Sequence, residues 1–257
     1  MMPDTPTVAT AFWISLVLVF LIGVAVQRGN TCTVVAFDDL IHRRSPNRLL
    51  AIAYCWLLVA GGLTLLTVTT GFRPSAQLFP VTVWSVVGGV LLGAGAVVNG
   101  ACTTGTIARI GSGEYAFGMT IAGFFLGCLA APHIFGRATE HTPMLGDLAK
   151  GRTADSSARL AFLAALLVGA IIGGRSLRGA KLIGPLAPRI VRCLLGGFVM
   201  GVGFSVAPGA FDGMTLFGQP LLLPFAWVVM GASYIAIVAG LIYLRSGLAA
   251  WVTARRG

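Results

Sequence analysis

Charge is the scarcest property of this chain. Only 10% of its 257 residues are Asp, Glu, Lys or Arg, against about 25% in soluble proteins. A surface so poor in charge cannot be solvated as a globular domain is, which excludes a soluble enzyme. Lysine is nearly missing: of the 18 cations, all but Lys150 and Lys181 are arginine. Eight acids leave a net charge of +10, yet no basic run carries interleaved aromatics, so a nucleic-acid binder is excluded as well. The five cysteines, Cys32, Cys55, Cys102, Cys128 and Cys193, are odd in number and form no CxxC pair. That argues against a disulfide framework or a structural zinc site. His42, His133 and His141 all fall near the ends of apolar runs, so no intramembrane pair is available for haem or metal, and no cofactor is expected. The first ten residues hold an acid and no cation, and the following apolar run reaches Gln27-Arg28 without a small-residue cleavage site. No cleavable signal peptide is expected.

What the chain has in quantity is apolar sequence. Hydrophobic residues make up 56% and the mean hydropathy is +0.89. Apolar stretches fall at about 11–26, 49–71, 81–98, 115–135, 159–174, 190–206 and 220–244. Each approaches the roughly 20 residues that cross a bilayer core as a helix. Three intervening stretches, 29–42, 102–112 and 209–218, are rich in Gly, Thr or Asp and too short to cross alone. The expected fold is all-α: one polytopic membrane domain over 1–257, with short re-entrant helices at the breaks. Its halves, about 11–135 and 159–245, would be joined by a polar loop, 136–158.

Cations set the orientation, because cytoplasmic loops retain Lys and Arg. With the N-terminus outside, the inner segments hold 13 cations: Arg28, Arg43, Arg44, Arg48, Arg109, Arg175, Arg178, Lys181, Arg189, Arg192, Arg245, Arg255 and Arg256. The outer segments hold five: Arg73, Arg137, Lys150, Arg152 and Arg159. N-out and C-in follows.

The chain also resembles itself. At an offset of 108 residues, Gly88-Gly89 falls on Gly196-Gly197, Gly93 on Gly201, Gly95 on Gly203, Gly105 on Gly213 and Gly123 on Gly231. Small-residue helix packing could place glycines this way. An internal repeat explains the single offset, and the assigned orientation makes its copies inverted. Inverted repeats with interrupted helices at matching places are typical of transporters, with the substrate site between the repeats.

The breaks suggest what is bound. In Asn99-Gly100-Ala101-Cys102-Thr103-Thr104-Gly105-Thr106, two glycines and small polar residues precede a short helical stretch. The start of such a helix presents backbone N–H groups and the positive end of its dipole, an arrangement that suits an anion. Thr103, Thr104 and the Cys102 thiol add donors. Gln27-Arg28-Gly29-Asn30-Thr31-Cys32-Thr33 has the same build. The third break, Ala207-Pro208-Gly209-Ala210-Phe211-Asp212-Gly213, has no thiol. Cys55, Cys128 and Cys193 lie in unbroken apolar runs and read as packing residues. Arg28 and Arg109 read either as substrate-attracting charges or as positive-inside anchors. Asp38 and Asp39, near Arg43 and Arg44, read as a solvated interfacial cluster before a proton or cation site.

At these residues the sequence resembles the YeeE/YedE sulfur-transport family. Gln27-Arg28-Gly29-Asn30-Thr31-Cys32 followed by Phe37-Asp38-Asp39 is similar to that family's first element. Gly100-Ala101-Cys102-Thr103-Thr104-Gly105 followed by Arg109-Ile110-Gly111-Ser112-Gly113-Glu114 is similar to its second, and Gly196-Gly197 through Gly213 to its later glycine-rich element. The resemblance implies import of thiosulfate across the bacterial inner membrane along a cysteine-lined path. Residue by residue it assigns Cys32 and Cys102 to that path. The implied third cysteine falls in a triplet that here reads Pro208-Gly209-Ala210. The expected path residues are therefore Cys32, Cys102, Thr103, Thr104, Gly105, Arg28, Arg109, Gly209 and Ala210, with no catalytic role. A cytoplasmic TusA-like sulfur carrier is the partner the resemblance implies. Sulfite, sulfane sulfur or a selenium species are alternative cargoes, and a membrane sensor of sulfur anions is an alternative function. A membrane enzyme using Cys102 as nucleophile would need a base beside the thiol, and the nearest titratable residues, Arg109 and Glu114, suit that role poorly. The cation bias makes one expectation testable: a topology reporter fused after Gly257 should read cytoplasmic, and a periplasmic signal would overturn the orientation.

Overall fold

The computed structural model describes residues 5–29, 32–71, 79–136, 153–175, 187–207 and 213–254, and every element in them is helical. The long helices are α1 (Thr5–Gly29), α3 (Asn47–Thr70), α4 (Val83–Asn99), α6 (Gly118–Phe135), α7 (Thr153–Arg175), α8 (Ala187–Val206) and α9 (Pro224–Ala254). Two short helices fill the first two breaks, α2 (Thr33–Arg43) and α5 (Thr103–Gly111). A 3-10 turn, Tyr115–Phe117, leads into α6, and a π-helical segment, Met214–Gly218, lies in the third break. Among the described residues six helical stretches are long and apolar enough to cross a membrane, while α7 contributes a shorter apolar stretch, Ala164–Gly174. Helix α7 starts at Thr153, so the end of the stretch expected as a polar loop is helical. Residues 137–152 of that loop lie outside the described residues, as do Gly209, Ala210 and Asp212.

Helices α6, α8, α4 and α9 pack side by side in that order. Helix α1 pairs with α7, and that pair meets the rest chiefly through α5. Helix α3 stands apart, touching α2 and the π-helical segment, with Ile52 its one buried residue. Its Leu57, Leu58 and Val68 are 68–82% exposed, the outward apolar surface that lipid accepts.

Lipid tails are as apolar as leucine, so hydrophobic burial does not drive such helices together; close backbone approach does. The contact of α4 with α8 shows how close. A methyl on Gly95 would lie 2.7 Å from the Met200 amide nitrogen and 2.8 Å from the Gly196 carbonyl oxygen. One on Gly203 would lie 2.7 Å from the Leu92 nitrogen and 2.9 Å from the Gly88 carbonyl oxygen. On its other face α4 meets α9, where Ser233 donates a 2.7 Å hydrogen bond to the Gly89 carbonyl. On the other face of α8, Cys128 of α6 approaches the Gly201 carbonyl at 3.4 Å.

This packing leaves no room for a side chain at the crossing. Gly95→Ala should destabilise the protein by about 1–3 kcal/mol, the usual cost of overpacking, and lower its unfolding temperature in detergent. Gly231→Ala on α9, where nothing lies within 4 Å of the added carbon, should leave it nearly unchanged.

Candidate functional site: two thiols beside an arginine-lined cavity

Helix α4 stops because Gly100 takes a left-handed conformation, φ 80°, and its N–H turns back to the Ala96 and Val97 carbonyls. Glycine adopts that geometry without a Cβ penalty, which makes it the usual helix stop. The chain then runs extended through Cys102, the N-cap of α5, at φ −74° and ψ −178°. Cys32 precedes α2 in the same way, at φ −89° and ψ 119°. Neither side chain caps its own helix.

Although 70 residues apart in sequence, the two thiols meet: Cys102 Sγ lies 3.6 Å from Cys32 Sγ. They are not joined in a disulfide, and at 1% and 2% exposure both are buried. Gly105, one turn into α5, makes the meeting possible, because a Cβ there would fall on Cys32 Sγ. Three of the sequence-derived path residues thus form one contact. Thr103 and Thr104 stand half-buried in the first turn of α5, next to it.

Asn99, buried in the last turn of α4, holds this arrangement. Its Nδ2 donates to the Ala101 carbonyl and to Thr106 Oγ1, both at 2.9 Å. Its Oδ1 accepts from Thr120 Oγ1 of α6 at 2.7 Å. Thr106 in turn donates to the Cys102 carbonyl at 2.9 Å. One amide therefore ties the end of α4, the first turn of α5 and α6 together, with its polar atoms satisfied as burial requires.

A cavity of about 330 Å³ opens beside the thiols. Its wall includes Val34, Val35, Asn99 and Gly100, the neighbours of the two cysteines, while Cys32 and Cys102 themselves are not part of it. Arg109, Arg189 and Arg192 supply its charge. Arg109, at the end of α5, lies 3.6 Å from the Glu114 carboxylate and stacks over Phe117 at 4.9 Å. Arg189 reaches the same carboxylate at 3.4 Å. Arg192 donates from Nε to the Val98 carbonyl and from Nη2, at 3.4 Å, to that of Val97, satisfying the exposed end of α4. Glu114 is not part of the wall; the acid that is, Asp38, is half-exposed and 2.7 Å from His42. Three guanidinium groups against two carboxylates leave the region positive.

The remaining assignments separate. Arg28 is exposed at the last turn of α1 and is not part of the cavity wall. Asp39 is bound to Arg48 at 3.0 Å and Arg43 at 3.5 Å, an interfacial cluster stapling α2 to α3. Cys193 is buried as expected of a packing residue, yet it also reaches the cavity wall. Sequence reasoning did not single out Asn99 or Thr120, although a polar residue inside an apolar helix is itself a signal. Arg189 and Arg192 had been counted only as anchors, and their spacing of three residues on one helix face was the missed clue.

Residues 28–143 match the model of a family described as Sulphur transport. Over that segment the chain is similar to the sulphur-transport family. The segment contains both cysteines, Gly105, Asn99 and Arg109, and with the six apolar helices of membrane-spanning length it assigns the protein to membrane transport of a sulfur species. No curated protein matches the chain.

The thiol pair yields a direct prediction. Cys102→Ala should reduce sulfur-anion uptake several-fold, up to about tenfold for the loss of one hydrogen-bond donor. Gly105→Ala keeps both thiols but places a methyl on Cys32 Sγ, and should reduce uptake at least as much. Cys55→Ala, on outlying α3, serves as the control at matched protein level; equal uptake by all three variants would return the pair to simple packing.

Proposed function

We propose that this protein carries a small sulfur-containing anion, thiosulfate first among the candidates, across the bacterial inner membrane. The observation that carries the reading is the 3.6 Å meeting of Cys32 and Cys102 at the starts of two short helices, beside an arginine-lined cavity. Thiols are weak, polarisable donors. They can guide a sulfur anion without holding it as tightly as an ammonium or a metal would. In this reading α2 and α5 are re-entrant, and the cavity is the cytoplasmic end of the path, since the cation bias puts Arg109, Arg189 and Arg192 inside.

The pairing of glycines supports an inverted repeat. Gly88 meets Gly203, and Gly95 meets Gly196; under the 108-residue offset each is the other's counterpart. Such reciprocal contacts are what a two-fold axis between the copies produces. The neighbours behave alike: Gly89 and Gly93 abut the Val229 and Ser233 carbonyls of α9, as Gly197 and Gly201 abut those of Thr120 and Phe124 on α6.

Glu114, clasped by two arginines, is poorly placed to serve as a base for a thiol, which favours transport over Cys102-based catalysis. A TusA-like carrier collecting sulfur on the cytoplasmic side fits the family resemblance. Purified protein in liposomes should take up labelled thiosulfate, with sulfite and selenium oxyanions as competitors that rank the cargo. Binding without uptake under any imposed ion gradient would put the sensor reading ahead.

A further inference from the structure

Gln219 follows the π-helical segment Met214–Gly218, whose i to i+5 hydrogen bond, Gln219 N–H to the Met214 carbonyl at 2.8 Å, sets where its side chain begins. That side chain is 1% exposed. Its Oε1 accepts a 3.0 Å hydrogen bond from the Tyr234 hydroxyl. Its Nε2 is buried and meets no acceptor. A buried amide nitrogen with two unspent hydrogens is costly to keep in a membrane protein, and π-helical turns recur at functional sites.

Its place in the fold gives the amide a use. Tyr234 lies ten residues into α9, about 15 Å along the helix from Pro224, so the segment preceding α9 folds back beside that helix to reach it. The Tyr234 ring packs at 5.3 Å on Phe37 of α2, the helix that Cys32 starts, and both rings pack against the buried core that includes Cys32 and Cys102. The cavity wall touches α9 further on, at Leu241 and Leu244, so Gln219 lies deeper than the cavity. The half of the chain that contributes Gln219 has Ala210 where the offset expects a thiol.

We propose that the Gln219 amide, held in orientation by Tyr234, is an anion-binding donor on the side of the thiol pair away from the arginines. The inference rests on the transport reading, with the same anion as cargo. The amide offers two N–H donors to oxyanion oxygens, where the first half of the chain offers thiols. Tyr234 is a positioning residue: its hydroxyl occupies the amide oxygen and so turns the nitrogen toward the ligand.

The test uses full-length protein in liposomes and in detergent. Gln219→Leu with Tyr234→Phe removes both polar groups at nearly constant volume. Thiosulfate uptake should fall about tenfold or more, as for the loss of a hydrogen bond to a charged group, with KM raised. The unfolding temperature should hold or rise, because an unpaired buried donor has been removed. Tyr234→Phe alone should give a smaller loss. Wild-type uptake and KM in the double variant would overturn the proposal, and so would a loss of uptake accompanied by an equal loss of thermal stability. A second readout, stabilisation of the detergent-solubilised protein by thiosulfate or sulfite, separates this inference from the transport reading. If the wild type binds an anion but transports none, only the transport reading fails, and loss of that binding in the double variant still supports Gln219. If the wild type neither binds nor transports, both fail.

Discussion

The rest of the architecture depends on how closely α4 and α8 approach. Backbone meets backbone at Gly88, Gly95, Gly196 and Gly203, and Asn99, Gly100, Arg189, Arg192 and Cys193 of the cavity wall are carried at the facing ends of those two helices. A Cβ on Gly196 would fall against the Asn99 backbone, so the amide that organises the break sits directly on α8. The same approach brings Arg192 of α8 onto the last carbonyls of α4. A bilayer-spanning pair held by larger side chains would separate these groups by several ångströms, and the network would not close.

From that contact the chemistry follows outward in layers. Gly100 ends α4, Asn99 fixes the turn, and Cys102 starts α5 against Cys32. The paired thiols are buried, where a cation would be costly to place. The arginines remain at the margin, where each is one-third exposed or more and has a carboxylate or carbonyl to lean on. In the transport reading, weak donors inside and strong charges at the rim attract an anion without trapping it.

Much of this was legible in the residues. Apolar runs marked all seven long helices, and six of the described helical stretches are long and apolar enough to cross a bilayer, a constraint on length imposed by lipid and not by tertiary context. Glycine-rich breaks marked α2 and α5 for the same reason: a backbone that stops being helical inside a membrane must have a local cause. The start of α7 at Thr153 was not legible, since its first turns are polar and no hydropathy pattern distinguishes them from a loop. Nor was the distance between Cys32 and Cys102, a tertiary contact between residues 70 apart in the chain. Arg189 and Arg192 were visible as charges but not as a wall, because orientation rules count cations without asking what they face. Of the glycines read as a repeat, Gly88, Gly89, Gly93, Gly95, Gly196, Gly197, Gly201 and Gly203 serve as close-packing positions between the helices.

Glu114 gives two of the cavity's arginines a partner of their own. Its carboxylate already bridges Arg109 and Arg189, so in the transport reading an arriving anion enters an exchange rather than an empty well. Any hold it gains on those guanidinium groups is set against the carboxylate it displaces, and the carboxylate returns as it departs. A tethered competitor of this kind flattens the energy profile at the mouth of a pathway, where affinity that is too high halts throughput as surely as affinity that is too low.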